Sequence, residues 1–175
     1  MKKKTLALVL ALTLLVAGVV GGTLAWLTDQ TAEVKNTFTV GDINIGLTET
    51  TTDYKMVPGN TIAKDPTVTV KANSEACWLF VKVTESANLD DFITYAIATG
   101  WTELEAGVYY REVPASAADQ TFSVLAGDTV TVKSDVTRAM LETAKTDAPT
   151  LTFKAYAIQK DHFATADAAW AEVSK

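Results

Sequence analysis

One run of residues constrains the fold of this chain more than any other. The sequence CWLFVKV at residues 77–83 is apolar at almost every position. A strand on the surface of a sheet alternates apolar and polar residues, whereas a strand that is apolar on both faces lies inside a packed structure. The run therefore predicts the central strand of a β-sandwich.

Shorter segments on both sides of this run have the alternation of half-buried strands. Each is bounded by a turn rich in Gly, Pro, Asn or Asp, at residues 57–60, 73–75, 105–107 and 126–128. The sequence predicts strands at residues 43–47, 66–72, 101–104, 108–113, 122–125, 129–133 and 151–158.

Three segments have helical rather than strand character. Residues 88–98 carry Leu89, Phe92 and Ile93 at helical spacing with Gly100 beyond them, which predicts a short helix. Residues 136–145 predict a helix or an irregular crossing, and residues 165–173 predict a closing helix. Short strands with few helices indicate an all-β fold, an antiparallel sandwich with minor helices at its periphery.

The predicted strands place a set of apolar residues on inward faces. We expect these residues to point into one sandwich interior: Ile43, Ile45, Val68, Val70, Leu79, Val81, Val83, Val130, Val132, Leu151 and Phe153.

The N-terminus has the pattern of a secretory signal peptide. Three lysines follow Met1, residues 6–20 form a charge-free apolar run, and Thr23-Leu24-Ala25 places small residues at the −3 and −1 positions of a cut after Ala25. The alternative is a retained membrane anchor, because residues 6–27 are about long enough to span a bilayer. The cleavage pattern favours removal and export.

Net charge and cysteine content limit the partners that this chain can bind and the covalent links that it can form. The chain has 15 Lys+Arg against 21 Asp+Glu, and loss of the three lysines in residues 1–25 leaves 12 against 21, a net charge of −9. An acidic chain without a basic stripe is not expected to bind nucleic acid. Cys77 is the single cysteine, which excludes an intramolecular disulfide, and its apolar neighbours predict a buried, inert thiol.

The sequence contains no recognisable catalytic or metal-binding motif. His162 is the single histidine, which rules out HExxH and any site that needs two imidazoles. Asp90, Asp91 and Asp119 do not have the spacing of a calcium loop. We therefore expect no catalytic residue, no metal and no cofactor, and we expect the tryptophans and tyrosines to pack in the core rather than to bind sugar.

The stretch GGTLAWLTDQTAEVKNTFTVGDINIGL at residues 21–47 resembles the start of the TasA/camelysin family of exported surface and biofilm-matrix proteins. Weaker echoes follow at residues 56–66, 77–83 and 156–160. The resemblance implies a jelly-roll or Ig-like sandwich at residues 37–175, cleavage between Ala25 and Trp26 by a dedicated signal peptidase of the ER type, and secretion to the surface or biofilm matrix of a Gram-positive cell.

The resemblance also implies a mechanism of assembly. Residues 26–36 would be a mobile arm that exchanges between subunits, so that the chain forms fibres by itself or with sister matrix proteins. The possible anchors of that arm are Trp26, Leu27, Val34 and Phe38. The membrane would be contacted through the uncleaved signal alone.

Two other functions are open at this point. The family's name-giving member, camelysin, implies a secreted metalloprotease that cleaves casein, although one histidine provides too few ligands for a zinc site. A monomeric surface module that binds a polysaccharide or a protein is the other alternative.

Overall fold

The structure is a computed structural model that describes residue 3, residues 41–52 and residues 54–175. The strands are β1 Ile45–Thr48, β2 Thr61–Ala63, β3 Thr67–Val70, β4 Cys77–Glu85, β5 Ile93–Thr94, β6 Thr102–Glu105, β7 Val108–Val113, β8 Gln120–Ser123, β9 Thr129–Val132 and β10 Leu151–Gln159. The α-helices in the described part are α1 Leu89–Phe92, α2 Arg138–Thr143 and α3 Ala166–Val173.

One layer is a four-stranded antiparallel sheet in the order β10-β4-β7-β6. Strand β4 lies between β10 and β7 and is buried from Cys77 to Val81. The prediction of a central strand is confirmed. Cys77 is fully buried, and burial raises the pKa of its thiol to about 11, so the prediction of a buried cysteine is confirmed as well.

The other layer consists of two three-stranded sheets, β1-β3-β8 and β2-β9-β5. Backbone hydrogen bonds extend each sheet toward the other. The N–H of Lys64 donates to the carbonyl oxygen of Asp128 over 2.8 Å at the end of the β2–β9 pair, and the N–H of Val124 donates to the carbonyl oxygen of Pro66 over 2.9 Å at the end of the β3–β8 pair. Gly127, at φ +65°, turns the chain between β8 and β9. The two sheets therefore run on from one another as a single kinked layer.

The two layers enclose the core. Val68 and Val70 of one layer pack against Leu79, Val81 and Val83 of the other. A second cluster contains Val130 and Val132 with residues of α1 and α2, so the predicted single interior is divided into two clusters. Leu151 and Phe153 pack against both clusters and join them. The all-β antiparallel fold is confirmed, while the jelly-roll or Ig-like order stays a prediction.

The outer face of the four-stranded sheet is covered by α3. Trp170 lies 5.3 Å from Phe80 and 5.2 Å from Tyr156, measured between ring centroids, and Trp78 packs in the same cluster. The side chain of Thr165 accepts a hydrogen bond from the N–H of Ala168 and caps the helix. These aromatic residues come from separate elements in sequence, and the sheet brings them together as the packing interpretation predicts.

Two secondary-structure predictions are wrong. The helix predicted for residues 88–98 ends at Phe92, because Ile93 and Thr94 pair with β9 and Ile97 bridges to Leu125. Pairing satisfies the backbone groups of this β-branched segment outside a helix. Strand β2 was not predicted, because three residues are too few for a clear alternation.

Candidate functional site

One open side of the sandwich lies between β10 and β1. Within the described residues, β10 pairs with β4 alone and β1 pairs with β3 alone, so the outer edge of each strand has no strand partner there. An unpaired edge presents backbone N–H and C=O groups that can bind another extended chain.

A groove runs along this open side, between the two layers. It consists of two neighbouring cavities of about 470 and 380 Å³ that share Thr52, Lys64, Leu151 and Thr152. Apolar side chains from six elements and the loop before β2 line much of it, and they are Leu47, Met56, Ile62, Leu89, Ile93, Val130, Leu151 and Phe153. Leu47 is 36% exposed beside it.

Lys64 lies in this groove and is the only buried lysine among the described residues. Nζ of Lys64 lies 2.6 Å from Oε1 of Glu49, and the residue is 7% exposed. The same Nζ lies 4.7 Å from the ring centroid of Tyr54 and 5.4 Å from that of Phe153, within the range of cation–π attraction. Glu49 and the two rings together compensate the charge of Lys64.

Polar contacts hold the segment of residues 49–54 beside the groove. The hydroxyl of Tyr54 donates to Oε1 of Glu49 over 2.8 Å, and the N–H of Thr50 donates to Oδ1 of Asp65 over 2.9 Å. Partial burial and the neighbouring Glu49 carboxylate raise the pKa of Tyr54 above its ordinary value. Hydrogen bonds from Thr50 hold the pKa of Asp65 below its ordinary range.

This arrangement is suited to binding rather than to catalysis. The walls are apolar in large part, the lysine is already paired with a carboxylate, and an edge without a strand partner among the described residues lies alongside. Side chains of an extended peptide could enter the groove while its backbone pairs with β10.

The site residues predicted from sequence lie outside the described residues. The cleavage pair is Ala25 and Trp26. The arm anchors are Trp26, Leu27, Val34 and Phe38. They remain predictions.

The described residues do not fit a metal centre. No group of three or more His, Cys, Asp or Glu side chains lies together in residues 41–52 and 54–175. His162 is exposed in a 3-10 turn, Lys160–His162, between β10 and α3. The single imidazole therefore has no partner ligands in the part of the chain that the structure describes, and we derive no metal-dependent step.

One family model matches the N-terminal part of the chain. The family model described as camelysin metallo-endopeptidase matches residues 1–85. The resemblance to the TasA/camelysin family is confirmed. No curated protein and no solved structure gives a significant match to the chain.

The camelysin match supports a secreted surface or matrix protein. In residues 41–175, no helix of the described portion is long and apolar enough to cross a bilayer. The matched family is described as a metallo-endopeptidase family, which implies a metal site. The described residues of this chain do not bring together the side chains that such a site needs.

Sequence reasoning missed the residues that form the groove. Residues 48–53 are polar and rich in threonine, and nothing in that pattern pairs Glu49 with Lys64, fifteen positions away. A lysine directly before Asp65-Pro66, at the start of a predicted strand, was the available signal. Its importance depends on burial, which becomes visible when the layers are assembled.

Proposed function

We propose that this chain is an exported structural protein of the cell surface or biofilm matrix, and that it assembles head to tail into fibres by strand donation. The observation that carries the proposal is the apolar groove beside the unpaired edge of β10. The camelysin match supports the exported, surface-associated part of the proposal.

The donated strand would be the arm at residues 26–36, with Phe38 just after it, from a neighbouring copy. In an extended strand, alternate residues share a face, so Trp26, Val34 and Phe38 would share one face and Leu27 would lie on the other. The charged residues Asp29, Glu33 and Lys35 all have odd numbers, so the face of Trp26 carries no charge. An uncharged face with Trp26, Val34 and Phe38 on it is complementary to the apolar part of the groove wall.

Cleavage after Ala25 would control this assembly, because the uncut arm is attached to the membrane by the signal. The partners that follow are a signal peptidase of the ER type, other copies of the chain and sister matrix proteins with the same arm. A contact that joins the arm of one copy to the groove of the next does not close on itself, so it gives filaments rather than dimers.

Deletion of residues 26–36 from the secreted protein tests the arm. We expect a folded monomer, with unchanged circular dichroism, that forms no fibres in electron micrographs. A deletion variant that polymerises like the parent protein contradicts strand donation.

The substitution Ile62→Gln tests the groove, since Ile62 lines it. Thr61→Gln is the matched control, because Thr61 precedes Ile62 on the same strand and is exposed. We expect slower or weaker fibre growth for Ile62→Gln and parental growth for Thr61→Gln. Equal growth of both variants would remove the groove from the mechanism.

The protease alternative has a direct test. Purified secreted protein is incubated with casein, with and without a chelator. We expect no turnover under either condition. Turnover that is sensitive to the chelator and survives further purification would replace the structural role by an enzymatic one.

A further inference from the structure

A second partly buried cation, Arg111, lies away from the groove in a different setting. Arg111 lies on β7, opposite Leu79 of β4, and faces the layer that contains Phe122 of β8. Since β7 and β8 are remote from β10 and β1 in their sheets, this position is separate from the groove.

Two aromatic rings hold the guanidinium. Its central carbon lies 3.9 Å from the ring centroid of Phe122 and 5.3 Å from that of Trp101. Trp101 is itself fixed, because its Nε1–H donates to the carbonyl oxygen of Ser123 over 2.8 Å. Together these contacts orient the guanidinium without neutralising its charge.

The charge of Arg111 has no carboxylate partner among the described residues. No ion pair involving Arg111 occurs in that part of the chain, and its buried Nε–H has no hydrogen-bond acceptor there. The neighbouring Glu112 is paired with Lys160 instead. Burial lowers the pKa of Arg111, yet a guanidinium stays protonated at neutral pH.

Gly100 keeps the space beside the guanidinium open. A Cβ added at Gly100 would lie 3.2 Å from Nη2 and 3.5 Å from Nη1 of Arg111, and the residue has φ +89°. Any other residue at position 100 would crowd these two nitrogens. Glycine therefore lets the backbone pass close to the guanidinium without a side chain over its terminal N–H groups, and Arg111 is half-buried rather than enclosed.

We propose that Arg111, held between Trp101 and Phe122, is an interaction site for a side-chain carboxylate of a second copy of the chain. A carboxylate matches the planar, two-pronged donor edge of a guanidinium. The proposal deepens the proposed self-assembly, on which it rests for the presence of a second copy, by adding a contact that strand donation does not use.

Charge complementarity selects another copy as the occupant. The chain has 21 acidic against 15 basic residues, so each copy offers many carboxylates and few cations. A uronic-acid polysaccharide has the same carboxylate chemistry, but sugar rings also require a free aromatic face. Trp101 and Phe122 already present their faces to the guanidinium.

The test compares Arg111→Gln with Arg138→Gln in the full secreted chain. Arg138 is the other arginine of the sequence and is exposed on α2, so both variants lose the same charge. Sedimentation velocity at low salt measures the fraction of the chain in dimers and in longer assemblies. We expect association to weaken at least about tenfold for Arg111→Gln, which is the size of a charge-assisted pair, and to stay parental for Arg138→Gln.

Arg111→Lys is the control for loss of folding, because it keeps the positive charge at this position and removes only the two-pronged geometry of the guanidinium. We expect it to associate with intermediate strength, and the association of the parent to weaken in about 1 M salt. Equal association of the two glutamine variants, or a parent chain that stays monomeric at low salt, overturns the proposal. Arg111-dependent binding to polygalacturonate without Arg111-dependent association overturns the second copy as the occupant.

The experiments distinguish a failure of the strand-donation hypothesis from a failure of the Arg111 contact. If Arg111 is needed for dimers but no fibres form, strand donation fails and the carboxylate contact stands. If fibres require residues 26–36 but are indifferent to Arg111, the reverse holds.

Discussion

The ammonium of Lys64 reaches from one layer of the sandwich to the other, where it lies 5.4 Å from the ring centroid of Phe153. Lys64 precedes β3 in the kinked layer, and Phe153 lies on β10 in the four-stranded sheet. This contact joins the two layers at the groove, whereas the ion pair to Glu49, which follows β1, holds the ammonium from within its own layer.

The first prediction concerns this ion pair. Removing Lys64 leaves the partly buried Glu49 carboxylate without its cation, so Lys64→Met should lower the free energy of unfolding by about 1–3 kcal/mol. The double variant Lys64→Met/Glu49→Leu should recover part of that loss. Urea denaturation of the single and double variants measures both values.

The exposed pair Lys71–Asp119 is the control for this prediction, with both side chains 49% exposed. Lys71→Met should cost less than about 1 kcal/mol, as surface ion pairs do. Equal costs at positions 64 and 71 would mean that burial does not strengthen the dependence of Lys64 on its partner.

The second prediction concerns the core. Leu79 is fully buried in the central strand, so Leu79→Ala should lower the free energy of unfolding by about 2–5 kcal/mol. Thr121→Ala, at an exposed position of β8, should change it by less than about 0.5 kcal/mol. A loss below about 1 kcal/mol for Leu79→Ala would contradict its place in the interior.

The core was predictable because burial follows from period and polarity along a strand. The alternation of Val68 and Val70 in β3 determines which face points inward, whatever the order of the strands. The groove was not predictable, because Glu49 and Lys64 become neighbours through the path of a loop. Arg111 was equally hidden, since its aromatic neighbours Trp101 and Phe122 come from outside its own strand.

The third prediction concerns pH. Burial raises the pKa of Cys77 from its ordinary value of 9.0 to about 11, so between these values the unfolded chain loses this proton first. The folded state then binds more protons than the unfolded state, and stability falls as pH rises from 9.0 to about 11. Well below pH 9.0 the thiol is protonated in both states, so this group contributes no dependence on pH there.

Comparison with Cys77→Ala isolates this effect from the titration of tyrosines. Its stability should fall less steeply over the same range, by a difference of about 2 kcal/mol. Chemical denaturation at a series of alkaline pH values measures both slopes. Parallel slopes would show that Cys77 does not titrate differently in the two states.

The fourth prediction concerns the turn before β7. Gly107 has φ +74°, and an added Cβ would lie 2.7 Å from the carbonyl oxygen of Val83. Gly107→Ala should therefore cost at least about 1–2 kcal/mol from the left-handed conformation, with a further cost from the contact. Gly46→Ala is the control, because a Cβ there would meet no atom within 4 Å. Thermal melts of both variants should show a clear decrease in Tm for Gly107→Ala alone.

Strand β4 receives its neighbours from distant parts of the chain, β7 on one side and β10 on the other. The helix that covers its outer aromatic face, α3, comes last of all. Pairings between such remote segments require the closure of long loops, which is slow. Because synthesis proceeds from the N-terminus, β4 lacks β10 and α3 until residues 151–173 have been made, so the sheet around the central strand closes late.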